Sequence, residues 1–222
     1  HCYDLKTLGN KRTLDVLDKE INFETLLNKT IKLAGSNLIF SDNNGMINLA
    51  GIVGGSKTAC KNDTKQVLIE CAYFNPEAII SKSIRYDIKS DAAHKFERGV
   101  DCQSHDYVLR RFLKIVESHA LIKNIEIFKF EDSKFKNKEI QFDYQNINNI
   151  LGTNFTSKET LDYLSKLGFI NFEDKIIVPS YRNDIETEND LAEEIARLFG
   201  YDNIPKKELN IHSISNKKNN FE

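Results

Sequence analysis

The sequence predicts an α+β fold in two units, on three observations. The first half alternates short strand-like runs with turn residues. Several later stretches repeat apolar residues at helical spacing. A charged stretch without apolar period, "FEDSKFKNKE" (130–139), separates the two patterns. The expected division is a mixed-sheet unit over 1–130, a small α+β unit over 138–207, and a polar tail over 208–222.

In chain order, "SNLIF" leads through "SDNNG" into "MINLAG", a hairpin signal. "GIVGG" (Gly51 to Gly55) admits tight backbone turns, and "QVLIECAYF" (Gln66 to Phe74) reads as a buried strand. "NPEAIISKSIRYD" starts a helix, with Asn75 as cap and Pro76 in the first turn. "SDAAHKFERGVD" (Ser90 to Asp101) is polar but poor in turn residues. "QSHDYVLRRFLKIVESHA" is an amphipathic helix with Val108, Phe112, Ile115 and Val116 on one side. In the second unit, strand-like "EIQFDY" precedes "NINNILG". A helix then runs from a Ser157 cap to a Gly168 stop, and "NFEDKIIVPS" reads as a hairpin. A helix over 189–199 closes the unit. Leu191, Ile195 and Leu198 form its apolar stripe, with Asp190, Glu193, Glu194 and Arg197 opposite. These helices and the hairpin are compatible with a winged-helix-like arrangement.

Composition narrows the classes. A formal charge of −2 with 29% charged residues carries no basic excess for generic nucleic-acid binding. Cys2, Cys60, Cys71 and Cys102 lack the close pairing of zinc sites, and a reducing, cytosolic setting is expected. No apolar run approaches the about 18 residues of a membrane span. The chain opens on His1, which predicts a piece cut from a longer protein.

Two features stand out chemically. Asp184, Asp190, Glu193 and Glu194 have an ordinary reading as a solvated helix face, with Glu193 and Arg197 paired and Asp190 at the positive helix end. They also offer the oxygen ligands Mg²⁺ prefers. Glu70 interrupts an apolar run. It is either at a solvated edge, or a carboxylate waiting in a pocket for a hydrogen-bond donor. His94 reads as structural, and Glu97 with Arg98 as an ion pair. "GIVGG" alone is a weak phosphate-loop signal.

Taken together, "LAGIVGG", "VLIECAYFNPEAI", "SDAAHKFERGVD" and "VPSYRNDIETENDLAEEIARLFGYDNIP" closely resemble the β subunit of bacterial phenylalanyl-tRNA synthetase. The resemblance runs from His1 to about Lys207. It implies that the first unit is that subunit's editing domain and the second the small domain after it. The family's amino-terminal tRNA-binding region and its carboxy-terminal regions have no counterpart here. The resemblance further implies an (αβ)₂ assembly that charges tRNA(Phe) with phenylalanine, using ATP and Mg²⁺, with aminoacylation on the α subunit. The editing pocket would hydrolyse tyrosine misattached to the tRNA 3′ end. By motif position its residues fall on His1, Gly54, Gly55, Glu70, Ser90 and Ala92, with serine where the family has threonine. Four carboxylates recorded in the family as Mg²⁺ ligands shared with the α subunit fall on Asp184, Asp190, Glu193 and Glu194. Two other readings compete: an assembly or RNA-binding module that has lost editing, and a free-standing nucleic-acid-binding protein, which the acidic helix disfavours.

Overall fold

A computed structural model describes residues 1–130 and 135–206. The tail expected over 208–222 and the middle of the charged stretch lie outside them. The chain divides into two compact units. One comprises His1–Lys136 with Ser180–Asn183, the other Asn137–Pro179 with the described residues from Asp184 onward. Both combine helices and sheets, so the α+β class holds.

The first unit begins with strands β1 (Cys2–Asp4), β2 (Arg12–Leu17), β3 (Ile21–Glu24) and β4 (Thr30–Leu33). Strands β5 (Asn37–Asp42), β6 (Gly45–Leu49), β7 (Val53–Gly54) and β8 (Val67–Ile69) follow. An antiparallel sheet runs in the order β2–β5–β6–β7, while β3 pairs with β4 and β1 with β8. The expected hairpin is β5–β6. Asp42 opposes Gly45, and the Asp42 carboxylate accepts from the Asn44 N–H at 2.7 Å. Gly45 adopts a φ of 122°, which favours glycine. Phe23, Leu33, Ile39, Leu49, Phe74, Ile79 and Ile88 form the core.

Two expectations need correction here. "QVLIECAYF" is not one buried strand: β8 spans Val67–Ile69, and Val67 is 48% exposed. The cause is its pairing with the three-residue β1 in a separate ribbon instead of a place inside the larger sheet. The helix after Asn75 also breaks early. Asn75 accepts from Glu77 N and caps α1 (Pro76–Ile79). Ser81 then turns left-handed, at a φ of 65°, before α2 (Lys82–Arg85). Next come α3 (Asp91–Phe96), capped by Ser90, and α4 (His105–Glu117). The amphipathic helix forms as expected, yet none of its residues is fully buried among the described residues.

The second unit places β11 (Lys175–Ile177) between β9 (Glu139–Gln141) and β10 (Ile170–Phe172), all antiparallel. Its helices are α5 (Tyr144–Leu151), α6 (Ser157–Lys166) and α7 (Glu188–Phe199). Ile140, Ile147, Leu164, Ile176, Leu191 and Ile195 pack into its core. Thr156, not Ser157, caps α6: its hydroxyl accepts from Glu159 N while the Glu159 carboxylate accepts from Thr156 N. The buried face of α7 keeps the expected Leu191, Ala192 and Ile195 but is extended on one side by Glu194 and Ala196 at the expense of Leu198. Leu191, Ala192, Glu194, Ile195 and Ala196 are buried, whereas Leu198 is 39% exposed. Glu194 therefore leaves the polar face to which its spacing assigns it.

Candidate functional site

Strand pairing brings His1, Gly54 and Glu70 together. The β1–β8 ribbon extends one residue beyond the two strands: Glu70 N donates to His1 O at 2.8 Å, and the His1 nitrogen donates to Glu70 O at 2.7 Å. The two residues, 69 positions apart in sequence, are locked side by side. On the neighbouring sheet, Gly54 of β7 opposes Asn48 of β6. A Cβ on Gly54 would lie 2.3 Å from the His1 ring, so glycine at this position is what admits the imidazole. Gly55 is crowded differently. Its added Cβ would meet Ile47 O at 3.0 Å and the Phe23 ring at 3.1 Å.

The Gly55 N–H is already donated to Ile47 O at 2.8 Å. It is thus held by the sheet, and the role left to Gly55 is to keep the backbone narrow. Gly54 O accepts from Leu26 N at 2.9 Å.

Glu70 is half-buried, and Tyr3 donates its hydroxyl to Glu70 Oε2. Asn48 Nδ2 donates to the same Oε2 at 3.2 Å and to Tyr3 Oη at 2.6 Å. The Tyr3 ring is 2% exposed and stacks at a tilt on His1, with centroids 4.5 Å apart. Burial, then the adjacent Glu70 charge and hydrogen bond, hold the Tyr3 phenol far above the ordinary tyrosine range, so it remains a donor. Sequence reading missed Tyr3 and Asn48. Asn48 carried a usable signal, a polar residue inside the apolar run "MINLAG", of the same kind that singled out Glu70. Tyr3 carried none beyond lying two residues from His1 on the same strand face.

Ser90 and Ala92 belong to α3. The Ser90 hydroxyl accepts from Ala93 N at 3.3 Å and keeps its own O–H to donate. Ala92 is exposed, and Ala93 beneath it is buried in the core. His94 is exposed, and the expected Glu97–Arg98 pair forms at 3.1 Å.

At the acidic helix, the four carboxylates have distinct surroundings. Asp190 closes the capping box of α7. Its Oδ2 accepts from Glu186 N at 2.9 Å and from Thr187 N and Oγ1 at 2.7 and 2.9 Å. Those hydrogen bonds hold its carboxyl below the usual aspartate range, against an upward push from nearby Asp184. Glu194 is 7% exposed and paired with Arg197. Asp184 and Glu193 are exposed. The donor chemistry suits a hard cation. However, no three His, Cys, Asp or Glu among the described residues group to hold one. A hollow in the second unit, lined by Phe142, Asp143, Tyr144, Leu161, Glu173 and Asp174, contains none of the predicted residues.

Comparison with known proteins fits both units. Residues 1–121 match the B3/4 domain family, and residues 140–201 match the tRNA synthetase B5 domain. The fold and the matched domains define a portion of an aminoacyl-tRNA synthetase. Phenylalanine–tRNA ligase β subunits from Psychrobacter arcticus and Methylococcus capsulatus are 32% and 33% identical over 211 and 218 residues. Those matches cover 92% and 93% of this chain. The chain belongs to the phenylalanine–tRNA ligase β-subunit family. It spans about a quarter of the length of those relatives, 26% and 27%. A crystal structure of an N-terminal fragment of the phenylalanyl-tRNA synthetase β subunit from Pyrococcus horikoshii is 14% identical, with a TM-score of 0.46. That likeness covers 90% of this chain and 59% of the other. No helix among the described residues is long and apolar enough to cross a membrane.

Proposed function

We propose that the first unit is the editing domain of a cytoplasmic (αβ)₂ phenylalanine–tRNA ligase and hydrolyses tyrosine wrongly attached to tRNA(Phe). The observation that carries this reading is the cluster in which Glu70, its carboxylate held by Tyr3 and Asn48, is paired through the backbone with His1, whose imidazole packs on Gly54. Tyrosine exceeds phenylalanine by one hydroxyl, which an apolar synthetic pocket rejects weakly. A second site with a fixed carboxylate reverses that preference. Glu70 accepts the tyrosyl hydroxyl, whereas a phenylalanyl ring would leave the carboxylate oxygen that Tyr3 and Asn48 do not fill desolvated and without a donor, a cost of about 1–3 kcal/mol. Glu70 is thus a specificity residue and not a base.

The ester is already activated, so hydrolysis needs chiefly a positioned water. His1 is the side chain to orient it, in the space Gly54 leaves open. The free O–H of Ser90 is suited to the tRNA 3′ end, and exposed Ala92 to the aminoacyl group. Aminoacylation with ATP and phenylalanine belongs to the α subunit in this reading. The second unit, winged-helix-like, contributes Asp184, Asp190, Glu193 and Glu194 to a Mg²⁺ site. Because these four do not group by themselves, the partner subunit must supply further ligands. A second reading, an assembly or RNA-binding module without editing, is favoured by one observation: the apolar side of α4 is left half-exposed, with Val108 and Ile115 each 46% exposed.

The deciding experiment follows hydrolysis of tyrosyl-tRNA(Phe) and phenylalanyl-tRNA(Phe) by the full-length β subunit reconstituted with α, with and without Glu70→Ala. Selective loss of the tyrosyl ester, abolished in the variant, is expected. If both proteins leave that ester intact, the module reading replaces the editing one.

A further inference from the structure

We propose that Tyr3 and Asn48 are positioning residues that fix which Glu70 oxygen meets the tyrosyl hydroxyl; this rests on the editing reading above. Tyr3 Oη and Asn48 Nδ2 both donate to Oε2. Among the described residues, Oε1 accepts no hydrogen bond. One oxygen is therefore saturated from within and the other is left as a single, oriented acceptor.

The holders are buried and joined to each other. Tyr3 and Asn48 are 2% and 3% exposed, and Asn48 Nδ2 also braces the Tyr3 hydroxyl at 2.6 Å. The backbone of Glu70 is pinned to His1 on both its N–H and its carbonyl. The buried Asn48 Oδ1 has no partner. Reversing the amide would turn that oxygen toward the carboxylate, so the orphaned acceptor is the consequence of aiming the donor at Glu70.

Selectivity follows from this arrangement. A carboxylate free to rotate could recover water or a neighbouring donor when phenylalanine enters, and the penalty against phenylalanine would shrink. A carboxylate held by two buried donors cannot turn away, and only an incoming hydroxyl satisfies Oε1. Tyr3 and Asn48 thereby act on the substrate through Glu70 without touching it.

The test uses the full-length β subunit reconstituted with α and compares wild type, Tyr3→Phe and Asn48→Leu, with thermal melting as the folding control. Deacylation of tyrosyl-tRNA(Phe) should fall about tenfold in kcat/KM in Tyr3→Phe, the effect of one hydrogen bond to a charged group. Deacylation of phenylalanyl-tRNA(Phe) should hold or rise, so the ratio of the two rates collapses. Asn48→Leu should lower the same ratio. Unchanged selectivity in folded Tyr3→Phe overturns the proposal while leaving editing intact. Equal loss on both esters also overturns it, because that marks a merely structural role, and a faster tyrosyl reaction would make Tyr3 a competitor for Glu70. If wild type spares the tyrosyl ester altogether, the editing reading fails first and this inference falls with it.

Discussion

At the residue scale, the site is defined by what a side chain is allowed to be. Gly54 has no positive φ to satisfy; it is small because the His1 ring occupies the space a Cβ would need. Gly54→Ala should therefore displace the imidazole more than it destabilises the sheet. The expected result is at least a tenfold slower tyrosyl-ester hydrolysis in the reconstituted enzyme, with a stability loss of about 1 kcal/mol or less. Deacylation kinetics alongside a thermal melt separate the two effects. Glu70 was visible in the sequence as a charge in an apolar run, and that signal led to a residue with an unusual environment. The reason for the environment was not visible. Its hydrogen-bond partners Tyr3 and Asn48 lie 67 and 22 positions away, and nothing local to Glu70 encodes them.

At the element scale, α7 shows how a helix end can absorb a carboxylate. Asp190 is held by the Glu186 and Thr187 donors, and its carboxyl lies below the ordinary range. A depressed carboxyl contributes stability above its unfolded pKa, and that contribution is lost as pH falls through the folded value. Asp190→Asn should therefore lower stability near neutral pH by up to about 1 kcal/mol, and lose less than wild type on acidification below about pH 4. Denaturant titrations at neutral and acidic pH would check both statements. The interior of the same helix is governed by packing. Leu191 is fully buried in the second core, as Leu33 is in the first, and replacing either by alanine should cost about 2–5 kcal/mol in urea unfolding. Periodicity located α7 but misassigned Glu194. The Arg197 partner lets a carboxylate lie on the core side, where hydrophobic spacing alone would not put one.

At the scale of the whole molecule, each unit leaves one feature open. In the first, α4 keeps its apolar side partly open, and in the second the carboxylates form no metal-holding group among the described residues. The chain alone should therefore show no appreciable thermal stabilisation by millimolar Mg²⁺, whereas the complex with α should be stabilised by it, as melting curves with and without EDTA would show. By itself, the sequence determined the two-unit α+β division, the β5–β6 and β10–β11 hairpins and the amphipathic helices. Those features follow from local rules: turn chemistry, periodicity and caps act over a few residues. Only the tertiary structure decided that the run around Glu70 is a short half-exposed ribbon, that Ser81 breaks a helix, and that Tyr3, Asn48 and His1 converge on Glu70. Such outcomes depend on which strands pair across long loops, and pairing energy is shared among residues that carry no mark of one another.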